Sequence, residues 1–135
     1  MMSIRSCVAI AVTMAYCAGA LSIPCARSYT VQAGDTCDAI SAAQDVSSFQ
    51  LATANLGRVN DDCTNLFPGE VICLQLACVK CDTVHVFQDG ESCSGVAAAA
   101  GTDVATLIAN NPNINSGCTN VHPGEVLCVA SSVLF

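Results

Sequence analysis

Hydrophobic and polar positions along this chain trace one order of elements and then trace it a second time. Tyr29-Thr-Val-Gln32 is short, β-branched and aromatic, and reads as a strand. Ala33-Gly34 turns the chain. Asp35 or Thr36 then stands where a helix N-cap belongs, and Asp38 in the first turn suits the helix dipole. Cys37, Ile40 and Gln44 share one stripe, with Ala43 beside it, which predicts a helix over 37–44. Ser47-x-x-Gln50 is a capping-box signature. It opens a second helix running to Asn55, with Leu51 and Ala54 facing inward. Residues 56–64 form a polar loop, Pro68-Gly69 a turn, and Val71-Ile-Cys-Leu74 a second strand. The order is strand, helix, helix, strand.

The second tracing begins at His85-Val-Phe-Gln88 and ends at Val126-Leu-Cys128. Residues 95–100 fill its first helix, Gly101 ends that helix, and Thr102 or Asp103 caps the next. Cys37 maps onto Cys93 and Asn55 onto Asn111. One residue is then missing from the second copy, near Gly57-Arg58 against Asn113. Beyond it Cys63 maps onto Cys118 and Cys73 onto Cys128. Both copies close with Cys-Thr-Asn, two further residues, Pro-Gly-Glu and a strand-like run. A repeat of this kind defines the folding unit. The expected fold class is therefore α+β, as two small units in tandem, over 25–74 and 81–130 with a linker at 75–80.

Composition changes this picture in two ways. Units of about 50 residues are too small to be held by burial alone, so covalent staples are expected. The chain has 135 residues and 11 cysteines. Its start reads as a secretory signal over 1–20: Arg5, an uncharged and mostly apolar run from Cys7 to Ala18, and an Ala18-Gly-Ala20 cleavage site. That run is shorter than the roughly 20 apolar residues a membrane span requires. A secreted, extracellular protein forms disulfides. With Cys7 and Cys17 removed, the repeat register assigns Cys25, Cys37, Cys63 and Cys73 to one unit and Cys81, Cys93, Cys118 and Cys128 to the other. Two pairings stay open in each: Cys25–Cys73 with Cys37–Cys63, or the crossed Cys25–Cys63 with Cys37–Cys73. Cys78, in the linker, has no counterpart. As a free thiol it would allow a homodimer through an intermolecular disulfide.

The net charge of −7 argues against nucleic acid and anionic membrane surfaces as partners, since both need basic patches. It suits a neutral or cationic ligand. Nothing in the residues calls for a cofactor, a metal or catalysis. Asp61-Asp62 has no equivalent in the second copy, which has Ser116-Gly117, so it reads as a solvated turn and not as a hydrolytic carboxylate pair. His85 and His122 sit at non-equivalent places. Cys78-x-x-Cys81 stands without a second such pair.

Gly34-Asp35-Thr36 after a Tyr-Thr-Val strand, an Asn near the end of the second helix, and Pro-Gly before the closing strand resemble the LysM module. The four cysteines per copy resemble the secreted fungal LysM proteins. The resemblance implies a βααβ module that binds N-acetylglucosamine glycans (chitin, chito-oligosaccharides or peptidoglycan) in a shallow groove between two loops. Carried onto this chain, one groove comprises Gly34, Asp35 and Thr36 with Asn55, Leu56, Gly57, Arg58 and Val59. The other comprises Gly90, Glu91 and Ser92 with Asn111, Pro112, Asn113 and Ile114. The residue types fit an acetamido sugar. Gly34 and Gly90 let the backbone approach closely, helix N-termini offer free N–H groups, and Val59 and Ile114 are candidates for an apolar floor under the acetyl methyl. The chain has no Trp on which a sugar ring could stack. The second reading is a secreted structural or interaction protein that binds no sugar.

Overall fold

The computed structural model describes residues 23–60, 62–77 and 79–134. The expected signal segment, Asp61 and Cys78 lie outside the described residues. Strand β1 is Cys25–Thr30, followed by helices α1 (Cys37–Gln44) and α2 (Ser48–Ala54) and strand β2 (Val71–Leu76). Strand β3 (Val84–Val86), helices α3 (Cys93–Ala99) and α4 (Val104–Asn110) and strand β4 (Val126–Cys128) repeat the order. Each unit has one two-stranded antiparallel sheet, β1 with β2 and β3 with β4. Tyr29 lies opposite Ile72, and His85 opposite Leu127.

Strand β1 starts at Cys25, ahead of the expected Tyr29, and β2 runs past Leu74 to Leu76. The Cys25-Ala-Arg-Ser stretch has no strand pattern of its own. It is held by pairing across to Leu76 and Gln75, with irregular register on both sides of Arg27. The Arg27 guanidinium donates to the Gln44 carbonyl (2.8 Å), which ties this end of the sheet to the last turn of α1.

Local chemistry sets the helix ends. Of the two candidate caps for α1, Thr36 is the one used, its hydroxyl accepting from the Ala39 N–H. The buried face of α1 centres on Ile40 and Ser41, so Ala43 is exposed. At α2 the capping box is complete: the Ser47 hydroxyl accepts from Gln50 N–H, and Gln50 Oε1 accepts from Ser47 N–H. Gln50 also donates from Nε2 to the carbonyl of Val79 in the linker (2.9 Å), fully buried. Helix α3 begins at Cys93, before the expected 95, because Ser92 caps it as Thr36 caps α1. Asp103, not Thr102, caps α4.

The cysteines join as nested pairs and not as crossed ones: Cys25–Cys73, Cys37–Cys63, Cys81–Cys128 and Cys93–Cys118. Cys25–Cys73 joins β1 to β2, and Cys81–Cys128 joins the segment before β3 to β4. The other bridge of each unit fastens the first turn of the first helix to the loop before the closing strand. Inside these staples each unit has its own small core. Val31, Ile40, Leu51, Ile72 and Leu74 fill the first, and Phe87, Val96, Leu107, Leu127 and Val129 stand at the matching positions of the second.

The two units touch. The Val126 N–H of β4 donates to the Ser48 hydroxyl at the start of α2 (3.0 Å), and His122 Nε2 lies 2.8 Å from Asp38 Oδ2 on α1.

Candidate functional site

The opening loop of each unit is locked by its acidic residue. Asp35 Oδ2 accepts from the Tyr29 hydroxyl and from the Gln32 N–H, both at 2.8 Å. The bond to Asp35 holds the Tyr29 phenol above its ordinary pKa. In the second unit Glu91 Oε2 accepts from the Gln88 N–H (2.7 Å) and meets His85 Nε2 at 2.8 Å. Those two bonds, that of His85 first, hold the Glu91 carboxyl below its ordinary pKa. Gly34 and Gly90 turn the chain with φ of 85° and 83°, a left-handed conformation that side chains rarely adopt. Thr36 and Ser92 follow as helix caps. The two openings are the same turn, built with an acid of different length and a different donor from the strand.

The asparagines that follow the second helix of each unit have a structural task. Asn55 is 1% exposed. Its Nδ2 donates to the carbonyls of Leu51 (2.7 Å) and Cys73 (2.6 Å), and its Oδ1 accepts from the Cys73 N–H (2.9 Å). Asn111 makes the same three bonds to Leu107 and Cys128, each at 2.8 Å. Each side chain thus clamps the end of its helix to the closing strand, and its polar atoms are occupied. The loops beyond are closed by a second repeated network. Asn60 bonds Thr64 and Asn65, and Asn115 bonds Thr119 and Asn120. This is the task of the repeated Cys-Thr-Asn, whose cysteines take the left-handed conformation (φ 56° at Cys63, 54° at Cys118).

Two hollows lie beside the opening loops. The first is a cleft of about 860 Å³. Thr36, Asp38, Ser48, Leu51, Ala52, Asn55, Leu56, Gly57 and Val59 line it from the first unit, and Asn113, His122 and Glu125 from the second. Of the residues expected for the first groove, Gly34, Asp35 and Arg58 stand outside this lining. The Arg58 guanidinium instead donates to the Val71 carbonyl (3.0 Å). The second hollow is a groove of about 350 Å³ lined by Phe87, Glu91, Ser92, Cys93, Ser94, Val104 and 116–118. Glu91 and Ser92 are on it; Gly90, Asn111, Pro112, Asn113 and Ile114 are not. Ile114 is 4% exposed and packs in the core among Phe87 and Leu107; of the apolar residues beside this groove, half-buried Val104 has the surface to face a ligand. Asn113 turns to the other hollow, donating to Glu125 Oε1 (2.6 Å) on the wall of the first cleft.

Sequence reasoning missed Asp38, Ser48 and His122, which join the units at the rim of the first cleft. One signal was present. In two otherwise matching Cys-Thr-Asn-x-x-Pro-Gly-Glu runs, the second carries His122 where the first carries Phe67. His122 faces two acids, Asp38 through Nε2 (2.8 Å) and Glu125 through Nδ1 (3.3 Å), and the bond to Asp38 above all raises its pKa. The first cleft is polar and acidic along one wall and apolar along Ala52, Leu56 and Val59. Among the described residues no cluster of His, Cys, Asp and Glu has the arrangement of a metal site.

Comparison with known proteins agrees with this geometry. The LysM domain family matches residues 29–75 and 85–130. A protein of Penicillium expansum, named the non-secreted LysM effector LysM19, is 36% identical over 107 residues, covering 76% of this chain and 8% of its own length. A secreted LysM effector of Pochonia chlamydosporia (strain 123) is 32% identical over 108 residues, 78% of this chain and 15% of its own. The non-secreted LysM effector LCP1 of Gibberella moniliformis (strain M3125 / FGSC 7600) is 32% identical over 110 residues, 79% of this chain and 14% of its own. The chain thus spans 8–15% of the length of these relatives. With its repeated βααβ order, its nested disulfides and these matches, the chain belongs to the LysM domain family and carries two LysM domains.

Proposed function

We propose that this protein binds chitin or chito-oligosaccharides without catalysis. The observation that carries the reading is the first cleft. Its volume, about 860 Å³, is that of a ligand site, and it pairs an apolar wall with a few convergent polar groups. Ala52, Leu56 and Val59 offer surface to acetyl methyls, while Thr36, Ser48 and Asp38 offer hydrogen-bonding groups to amides and hydroxyls. The smaller second groove carries the same opening turn, with Ser92 and Ser94 beside Phe87 and Val104. In this reading Asn55 and Asn111 position the groove loops through their clamps, and Asp35 and Glu91 hold the opening turns in shape. Two grooves on one chain raise avidity for a polymer, because the second binding event is intramolecular.

Effector names recur among the relatives, in both secreted and non-secreted forms. In our reading the chain is exported by its N-terminal segment. Outside the cell it holds chitin fragments away from host receptors or covers a fungal wall against chitinases.

Titration calorimetry with N-acetylglucosamine oligomers of increasing length tests the proposal. We expect heat that grows with oligomer length, loss of most of it in Ala52→Arg, which fills the first cleft from an exposed position, and a smaller loss in Ser94→Arg. Plain glucose oligomers should give no heat. Silence with every N-acetylglucosamine oligomer overturns the function.

A further inference from the structure

Four polar side chains form a continuous row along one wall of the first cleft, and they come from both units. His122 Nε2 lies 2.8 Å from Asp38 Oδ2 on α1, and His122 Nδ1 lies 3.3 Å from Glu125 Oε2. Glu125 Oε1 accepts in turn from Asn113 Nδ2 (2.6 Å). All but Asp38 belong to the second unit, and all four line the cleft. Glu125 is 5% exposed and held by Asn113, so it is the fixed end of the row. His122 is the link that carries the row across to the first unit.

The ring has an acid at each nitrogen. As an imidazolium it presents an N–H to both and a positive charge between them. As a neutral imidazole it has one N–H, and a lone pair faces the other carboxylate. Among the described residues no lysine or arginine lines the cleft, and Asp62 lines it as a further acid, so no other cation there offsets the two charges. Loss of the proton leaves Asp38 and Glu125, one on each unit, on either side of a ring that serves only one of them. Four residues on, the Val126 N–H donates to the Ser48 hydroxyl (3.0 Å), so a shift of the hairpin at His122 reaches the second bond between the units.

We propose that His122 is a positioning residue for the first cleft: protonated, it holds the second unit's wall against Asp38 in the arrangement that grips a glycan, and deprotonated, it lets that wall withdraw. This rests on the glycan reading of the cleft and adds a pH dependence to it. The bond to Asp38 raises the pKa of the ring, so the grip is full below the ordinary 6.5 and fades as pH rises through the raised value. The pair is exposed, with 58% of the His122 side chain and 35% of that of Asp38 open to water, so the change in affinity is bounded at about five-fold.

Calorimetry with an N-acetylglucosamine hexamer between about pH 5.5 and 8.5 tests this, on Ser94→Arg protein so that the second groove is filled. Kd should rise about three- to five-fold across that range. His122→Gln in the same background, which still offers Asp38 an N–H but carries no charge, should bind weakly and equally at every pH. By linkage, saturating hexamer should raise the midpoint of the His122 ring, followed by nuclear magnetic resonance, by about 0.5–0.7. Without glycan, the Val126 amide should titrate together with that ring, a measurement that needs no variant. A Kd that does not change with pH overturns the proposal and leaves the glycan reading in place. So does a pH dependence that persists in His122→Gln, which would belong to His85 or another group, and so does a Val126 amide that ignores the ring. Silence at every pH overturns the glycan reading itself, and this proposal with it.

Discussion

Replacing Asn55 by alanine should unfold the first unit under conditions in which the parent is folded. The side chain makes three buried hydrogen bonds, two from Nδ2 to the Leu51 and Cys73 carbonyls and one at Oδ1 from the Cys73 N–H. Alanine leaves those three backbone groups without partners. At 1% exposure of the residue, water does not replace them. An orphaned buried group costs roughly 1–3 kcal/mol, so three at the low end amount to about 3 kcal/mol. For a domain of this size each kcal/mol lowers Tm by about 4–8 °C, which puts the loss above about 10 °C. Asn55→Asp should be no better, because it keeps the acceptor but turns a second oxygen toward two carbonyls. The assay is urea unfolding with the disulfides intact, followed by circular dichroism, with glycan calorimetry on the variant well below its transition. The clamp predicts a large loss of stability, and binding that survives wherever the protein is folded. A loss below about 1 kcal/mol, the least that one orphaned group should cost, together with abolished binding would make Asn55 a ligand of the sugar and refute the structural reasoning.

The remaining predictions concern acids, histidines and bridges. The raised pKa of His122 means that its contact with Asp38 stabilises the folded protein fully below the ordinary histidine value of 6.5 and fades as pH rises through the raised folded value. Nuclear magnetic resonance titration of the ring should show its midpoint fall in Asp38→Asn, and an unmoved midpoint would count against the pair. Glu91 is shifted downward, so its contribution is present above the ordinary value of 4.5 and is lost as pH falls through the lower folded value. Exchange of the Gln88 amide should accelerate in that acidic range, and Glu91→Ala should be fast there and above it. Peptide mapping should recover the four nested bridges and none of the crossed ones. Removing Cys25–Cys73 should cost about 0.5 kcal/mol more than removing Cys37–Cys63, because it frees a separation of 48 residues against 26.

Much of the fold was legible because it is local. The Ser47–Gln50 box, the Thr36 and Asp103 caps and the Pro-Gly turns lie within a few residues of the groups they serve. Features that depend on distant partners were not legible. Nothing in Cys25-Ala-Arg-Ser announces a strand, which exists because β2 lies beside it. The cysteine pairing stayed open between two arrangements for the same reason. Among the site residues, Asn55 and Asn111 were placed in the right loop, but their bonds to closing-strand residues 17 or 18 positions away were not foreseen. A polar residue next to a groove looks the same in sequence whether or not it is also bonded to a distant strand. Asp38, Ser48 and His122 were missed because they acquire a role only when the two units meet.

Gln50 has a further consequence. One end of its amide completes the cap of α2, and the other holds the Val79 carbonyl where the chain leaves for the second unit. The connection between the units is thus not a tether but a bracket, whose angle is set inside the first unit's core. In the proposed function the two grooves would therefore keep a fixed spacing along a glycan, like a caliper. Glycan strands should be sorted by how their repeat matches that span, and releasing the Val79 carbonyl should blunt this discrimination before it weakens either grip.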